Sequence, residues 1–316
     1  MSEEYKITLR TEINSGQIKV LNHVIGPVAK KSIVTARDGD FMVIDIESEE
    51  IKPLFEEKFG DIWGGALSYN GSAAVTVAAP FQYGGGDPSR WHIGVWDLYA
   101  GKLVTTIGID QYNYHSAASP DLRVVMIANS SSINWWDIEK EKRLGSVKNP
   151  HGTKTWKIAV SKDGKTAASS SVDIVCLWNT ESGKMTKEIP VPKKKLFQKP
   201  KRFSAIRFGN EHIYISSDEG KLYIAEINGE MHEMIIDTGH NAWTYQFDIH
   251  EQAKLAAMLV YGHPLEIWDT FSGKMVASVE VPQSQDVTDI RFSEDAEKLI
   301  IANKEGIAKI WDVIKQ

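Results

Sequence analysis

The sequence predicts an all-β fold, a single seven-bladed β-propeller spanning residues 1–316 and closed into a ring by its own N-terminal strand. Three observations predict it. Short apolar strands ending in Trp-Asp, or a near variant, recur along the chain. Their spacing matches one four-stranded blade. A surplus strand at the start balances a missing strand at the end.

The recurring strands are Gly94-Val95-Trp96-Asp97, Asn134-Trp135-Trp136-Asp137, Cys176-Leu177-Trp178-Asn179, Glu266-Ile267-Trp268-Asp269 and Lys309-Ile310-Trp311-Asp312. Two weaker copies complete the series. Val43-Ile44-Asp45 has Ile in the Trp place, and Tyr223-Ile224-Ala225-Glu226 has Ala there. From position 44 the spacings are 52, 40, 42, 47, 43 and 43 residues. A four-stranded blade takes about 40–45 residues. Seven copies therefore mean seven blades, and the two long intervals hold insertions at 80–91 and 192–202.

Each repeat shares a grammar. A turn such as Ser68-Tyr69-Asn70-Gly71, Ser119-Pro120-Asp121, Ser161-Lys162-Asp163-Gly164 or Ser293-Glu294-Asp295 precedes the second strand. Such residues favour turns between β-rich runs. The third strand carries the Trp-Asp. A turn with Gly-Lys often follows, as at Gly101-Lys102, Gly183-Lys184 and Gly273-Lys274, and then a fourth strand. The last repeat stops near Trp311-Asp312-Val313-Ile314 without that fourth strand. The segment 5–11, Tyr5 to Thr11, is the surplus strand and is expected to complete the last blade. Closure of this kind protects sheet edges.

Hydrophobic residues make up 42% and charged residues 25%, the balance of a soluble globular protein. The net charge of −6 argues against a general nucleic-acid binder. The single cysteine, Cys176, excludes an internal disulfide framework and fits a reducing compartment. No basic flank followed by an apolar run opens the chain, so no signal peptide is expected. No apolar run reaches the ~18 residues of a membrane span. The expected location is the cytoplasm.

The repeated Trp-Asp at a fixed period, over nearly the whole chain, resembles the WD-repeat (tryptophan–aspartate repeat) propeller family. The resemblance implies a scaffold that binds partner proteins or peptides. This chain departs from the family pattern of a Gly-His before the first strand and an Asp before the third. Gly239-His240 and Asp38-Gly39 are present, but Ser130, Glu219, Gly262 and Glu305 stand in the Asp place, and Asp173 is one residue out of register. The resemblance therefore implies a His-to-Trp hydrogen-bond network that is incomplete in most blades.

On the family plan, the first strand of each blade lines a central channel, and the loops leading into it share one face. Trp63, Tyr114 and Trp156 each lie four residues before equivalent positions, Leu67, Ala118 and Val160. Phe203 and Trp243 lie five before Phe208 and Asp248. These aromatics are candidate partner-binding residues, since aromatics are enriched at binding hot spots. The alternative is packing between blades. The 80–91 insertion adds Phe81, Tyr83 and Trp91 around three glycines, and a long loop in a compact domain is often functional.

The run from Lys193 to Arg202 holds six basic residues in ten, Lys193, Lys194, Lys195, Lys199, Lys201 and Arg202. It is a candidate site for RNA, another polyanion or an acidic partner, against the alternative of a solvated loop. The rest of the chain is correspondingly acidic.

No catalytic chemistry is readable. The nine histidines are scattered with no metal-ligand spacing, and no Gly-x-Ser-x-Gly elbow is present. Cys176 lies in the apolar strand Ile174-Val175-Cys176-Leu177 and reads as a small core residue. No cofactor, metal or small-molecule substrate is expected. The leading expectation is a non-catalytic interaction scaffold within a multiprotein complex. Polyanion binding through 193–202 is the second reading. An enzyme with a metal in the central channel is a remote third.

Overall fold

Six repeats fold back on themselves to give four antiparallel strands each, and the seventh four-stranded sheet takes three strands from the last repeat and one from the N-terminal segment. The computed structural model describes residues 5–16, 20–36, 41–54, 60–79, 91–110, 115–129, 131–151, 157–171, 174–190, 202–228, 230–281 and 286–316. The insertions predicted at 80–91 and 192–202 fall outside them, apart from Trp91 and Arg202. Among the described residues no helix is long and apolar enough to cross a membrane.

The turns explain why the grammar recurs. In Ser161-Lys162-Asp163-Gly164 the Ser161 hydroxyl donates to Asp163 Oδ1 at 2.6 Å and accepts from Thr166 N at 3.0 Å. Asp163 Oδ1 also accepts from Lys165 N, which locks the reversal. The same bonds recur at Ser68/Asn70 and Ser293/Asp295. Gly164 follows at φ 70°, where glycine is free of steric cost, yet Leu122 and Ala296 take φ 58° and 61° at the same place. The Asp of the Trp-Asp pairs that precede a turn caps that turn. Asp97 Oδ1 accepts from Tyr99 N and Ala100 N at 2.9 and 2.8 Å, and Asp269 Oδ1 accepts from Phe271 N and Ser272 N. Asn179 does the same for Ser182 N.

The inner strands are Val20–Ile25, Asp61–Leu67, His115–Ala118, Lys157–Val160, Phe203–Phe208, Thr244–His250 and Val287–Phe292, in blades 1 to 7. Each packs beside the next, and the seventh beside the first, so the blades close a circle around a central channel. The second strands, such as Leu255–Val260 and Val124–Ala128, are buried throughout because both faces meet neighbouring blades. Outer strands such as Lys102–Ile109 alternate exposed and covered residues. The core is correspondingly divided into seven clusters, one in each gap between adjacent blades. Ile33, Ile62 and Ile93 are fully buried in these gaps, where truncation to Ala costs about 2–5 kcal/mol.

The N-terminal strand closes the ring as the sequence predicts. Tyr5–Asn14 pairs antiparallel with Ile307–Lys315, from Tyr5 opposite Lys315 to Asn14 opposite Ile307. It runs three residues further than the predicted segment ending at Thr11. The weak copies also hold their places. Ile44 faces Ser32 and Ala225 faces Ile213, as Trp178 faces Ala167.

Candidate functional site

The inner strands run from one face of the ring to the other, and alternate residues point into the channel. Strand pairing fixes which residues are equivalent. Val24, Ala66, Ala117, Ala159, Arg207, Asp248 and Arg291 share one level, each immediately before the residue that pairs beneath its blade's Trp position. The level above holds Asn22, Gly64, His115, Lys157, Gln246 and Asp289. By this register Ile249, not Asp248, matches Leu67, so Trp243 lies one place further out than its sequence spacing suggests.

Among the described residues, five inner strands carry a β-bulge just above these levels, at Val20/Asn22, Ile62/Gly64, Phe203/Ala205, Thr244/Gln246 and Val287/Asp289. A bulge re-aims its extra residue. In blade 2 that residue is Trp63, which is 46% exposed and lines the channel cavity. In blade 6 it is Tyr245, whose ring tilts against the exposed Tyr261 at 5.7 Å.

The other aromatic candidates fare differently. Phe203 is fully buried, edge-on to Tyr223 at 6.5 Å between blades 4 and 5. Trp91 is buried between blades 2 and 3. Both serve the packing alternative. Trp243 is half-buried, and its carbonyl accepts from Tyr261 N at 2.8 Å. Phe81, Tyr83, Tyr114 and Trp156 lie outside the described residues, as do Lys193, Lys194, Lys195, Lys199 and Lys201. Arg202 is exposed, and its backbone N–H donates to Asp218 Oδ1 at 2.9 Å.

The channel holds a cavity of about 470 Å³ lined by all seven inner strands. One wall is charged. Arg207 reaches from blade 5 to Asp289 on blade 7 at 2.5 Å, and its Nε donates to the Phe247 carbonyl of blade 6. Arg291 donates to Asp248 Oδ1 at 3.2 Å. Each carboxylate also accepts a backbone N–H from the next blade, Asp289 from Ile25 and Asp248 from Phe292. Thr288 Oγ1 donates to the His23 carbonyl. These bonds tie blades 5, 6, 7 and 1 together.

Burial alone would raise Asp289, but the Arg291 and Arg207 guanidiniums hold its carboxyl below the usual range. At Asp248 burial prevails over the same two cations and the carboxyl lies high. On the opposite wall the same positions carry Gly64, Ala66, Ala117 and Ala159, which leave the room. Lys157 stands at the edge of that room. Its ammonium has no hydrogen bond or ion pair among the described residues, and burial, then the Arg207 charge, lower its pKa against the pull of Asp289. His23, fully buried, is pushed down to about 4 by burial.

At the far mouth, Tyr69 spans the axis. Its hydroxyl donates to Glu294 of blade 7 at 2.9 Å, and Lys162 of blade 4 sits 4.8 Å over its ring. Contact with two non-neighbouring blades is possible only across the channel, so Tyr69 narrows this end while Trp63 marks the other.

Blade 4 carries a polar chain from His151 to its Trp. Ser169 Oγ lies 2.9 Å from His151 Nε2 and accepts from Trp178 Nε1 at 2.9 Å. In blade 6 Met258 takes the serine's place, and Glu266 instead joins His240 at 2.6 Å to Trp268 Nε1 at 3.1 Å. In blade 2 Thr76 accepts from Trp96. The indole N–H groups of Trp136 and Trp311 are buried without a partner. Among the described residues no group of three or more His, Cys, Asp or Glu is placed to hold a metal ion.

The fold and channel define the class of molecule: a closed seven-bladed β-propeller with a half-polar axial cavity. No protein-family model matches the chain, and no curated protein matches it in sequence.

Sequence reasoning missed Lys157, Arg207, Asp248, Asp289 and Arg291. They come from four blades and form no local motif. The readable signal was their register: aligned repeat against repeat, they are the ionisable side chains at positions where blades 2 to 4 mostly carry Gly or Ala.

Proposed function

We propose that this protein is a divergent WD-repeat propeller acting as a non-catalytic interaction scaffold, a subunit of a multiprotein complex. A partner protein or peptide binds the loop face around the channel mouth. The observation that carries the reading is Trp63, a large aromatic lifted by a bulge onto that mouth and half exposed beside an open cavity. Such a side chain loses apolar exposure only when a partner covers it, and Trp is prominent among interface hot spots. The His151–Ser169–Trp178 chain supports the WD-repeat assignment, since the resemblance implies a link from His to Trp. Action in the reducing cytoplasm fits the single buried Cys176.

The test is affinity purification from native cells with quantitative mass spectrometry, comparing wild type with Trp63→Ala. A defined protein set that drops about ten-fold in the variant supports the reading, a loss of at least ~1.4 kcal/mol. The same set recovered with both proteins removes Trp63 from the interface. Recovery of nucleic acid alone, lost on changing Lys193, Lys194, Lys195, Lys199 and Lys201 to Glu, replaces the scaffold with polyanion binding.

A further inference from the structure

The middle of the channel has a charge imbalance. Its two central levels carry Lys157, Arg207 and Arg291 against Asp248 and Asp289. Both carboxylates are already engaged, each by a guanidinium and by a backbone N–H of the next blade. Lys157 is the cation left over, half-buried on the channel wall where it lines the cavity, with no ion pair among the described residues. A partly desolvated ammonium without a counter-charge favours an anionic partner, and none of the described residues supplies one. The molecule does offer space. Ala66, Ala117 and Ala159 line the adjoining wall, and the cavity of about 470 Å³ is of the size that holds small ligands.

We propose that the channel binds a monoanionic organic acid, with its carboxylate on the Lys157 ammonium and its apolar body against Ala66, Ala117 and Ala159. The excess of a single positive charge selects a monoanion. A dianion such as phosphate would leave a buried negative charge in turn. The alanine wall selects a ligand with a carbon skeleton over a bare inorganic ion. Trp63 stands at the mouth by which such a group enters, and Tyr69 narrows the other end. The same chemistry is presented by a free organic acid or by the C-terminal carboxylate of a bound chain. The inference does not depend on the scaffold reading.

Calorimetric titration of the full chain with benzoate, its neutral analogue benzamide, and tetra-alanine with a free or amidated C-terminus tests the proposal and separates the two sources. Benzoate is expected to bind once per chain, at least about ten-fold more tightly than benzamide. If only the free-acid peptide binds, the carboxylate comes from a partner chain. Lys157→Met is expected to weaken binding about ten-fold or more without lowering Tm, because it also removes an unpaired charge. Ala117→Leu fills the room, leaves the charge untouched, and must abolish binding as well. Equal binding of benzoate and benzamide, unchanged binding in either variant, or no binding of any probe overturns the proposal.

Discussion

On blades 5, 6 and 7 one channel-facing position carries Arg207, Asp248 and Arg291; on blades 2, 3 and 4 it carries Ala66, Ala117 and Ala159. The strands are equivalent and the backbone is the same, so the difference lies in what fills the axis. The first wall fills its channel volume with salt bridges that cross from blade to blade, and a backbone hydrogen bond from Ile25 extends them to blade 1. The second leaves its volume empty and relies on the apolar gaps behind it. One half of the ring is braced through its axis, and the other keeps the axis open. A repeat architecture thus separates cohesion from binding space without changing its fold.

The comparison can be broken most severely on the braced side. Asp289→Ala removes the partner of Arg207, of Arg291 and of Ile25 N at once. Taking one member from a buried charge network costs about 3–5 kcal/mol. Denaturant unfolding is expected to show that loss, and a loss below ~1 kcal/mol would mean the network does not brace the ring.

A pH effect belongs to the same side. His23, whose carbonyl accepts from Thr288, has a folded pKa of about 4 against an ordinary 6.5. Its folded value is depressed, so the unfolded chain takes up the proton first as pH falls. Stability is therefore full above pH ~6.5 and falls between there and pH ~4, by roughly 3 kcal/mol. Unfolding measured across that window should slope accordingly, and His23→Gln should flatten the slope.

The smallest effect belongs to the open wall. Ala159→Val adds two methyl groups toward the cavity and is expected to change stability by no more than about 0.5 kcal/mol. A loss of about 1–3 kcal/mol, the usual result of overpacking, would show that the wall is already full.

Much of the fold was legible because its determinants are local. The Trp-Asp period, the Ser-x-Asp turns and the surplus first strand each sit within a few residues, and the structure places all three as expected. The substitutions at Ile44 and Ala225 did not obscure the count, since spacing survives loss of the aromatic. Trp91 and Phe203 show the limit. An aromatic at a strand start can turn to the mouth or into the gap, and a one-residue shift of register decides which. Trp63 faces the mouth because of a bulge, which the surrounding Ile62 and Gly64 do not announce. The charged wall was illegible for a different reason, since its parts lie up to 84 residues apart between Arg207 and Arg291. The rewired blade 6 is half visible in the sequence: Gly239-His240 keeps the repeat pattern, but nothing local marks Glu266, two residues before Trp268, as the partner of His240.

The seam between Tyr5–Asn14 and Ile307–Lys315 carries a consequence for synthesis. Of the ring's strands, Tyr5–Asn14 is made first and is the last to find its neighbour. At the usual rate of about 5–20 residues per second, it waits roughly 15–60 seconds while the blades form in order. Throughout that wait its hydrogen-bonding edge is unpaired, and the edge of the seventh blade joins it only when Ile307–Lys315 is made. Nascent chains held close together on one message are therefore the setting in which this ring is most exposed to exchanging its first strand with a neighbour. Once closed, the ring has no free end from which to unravel.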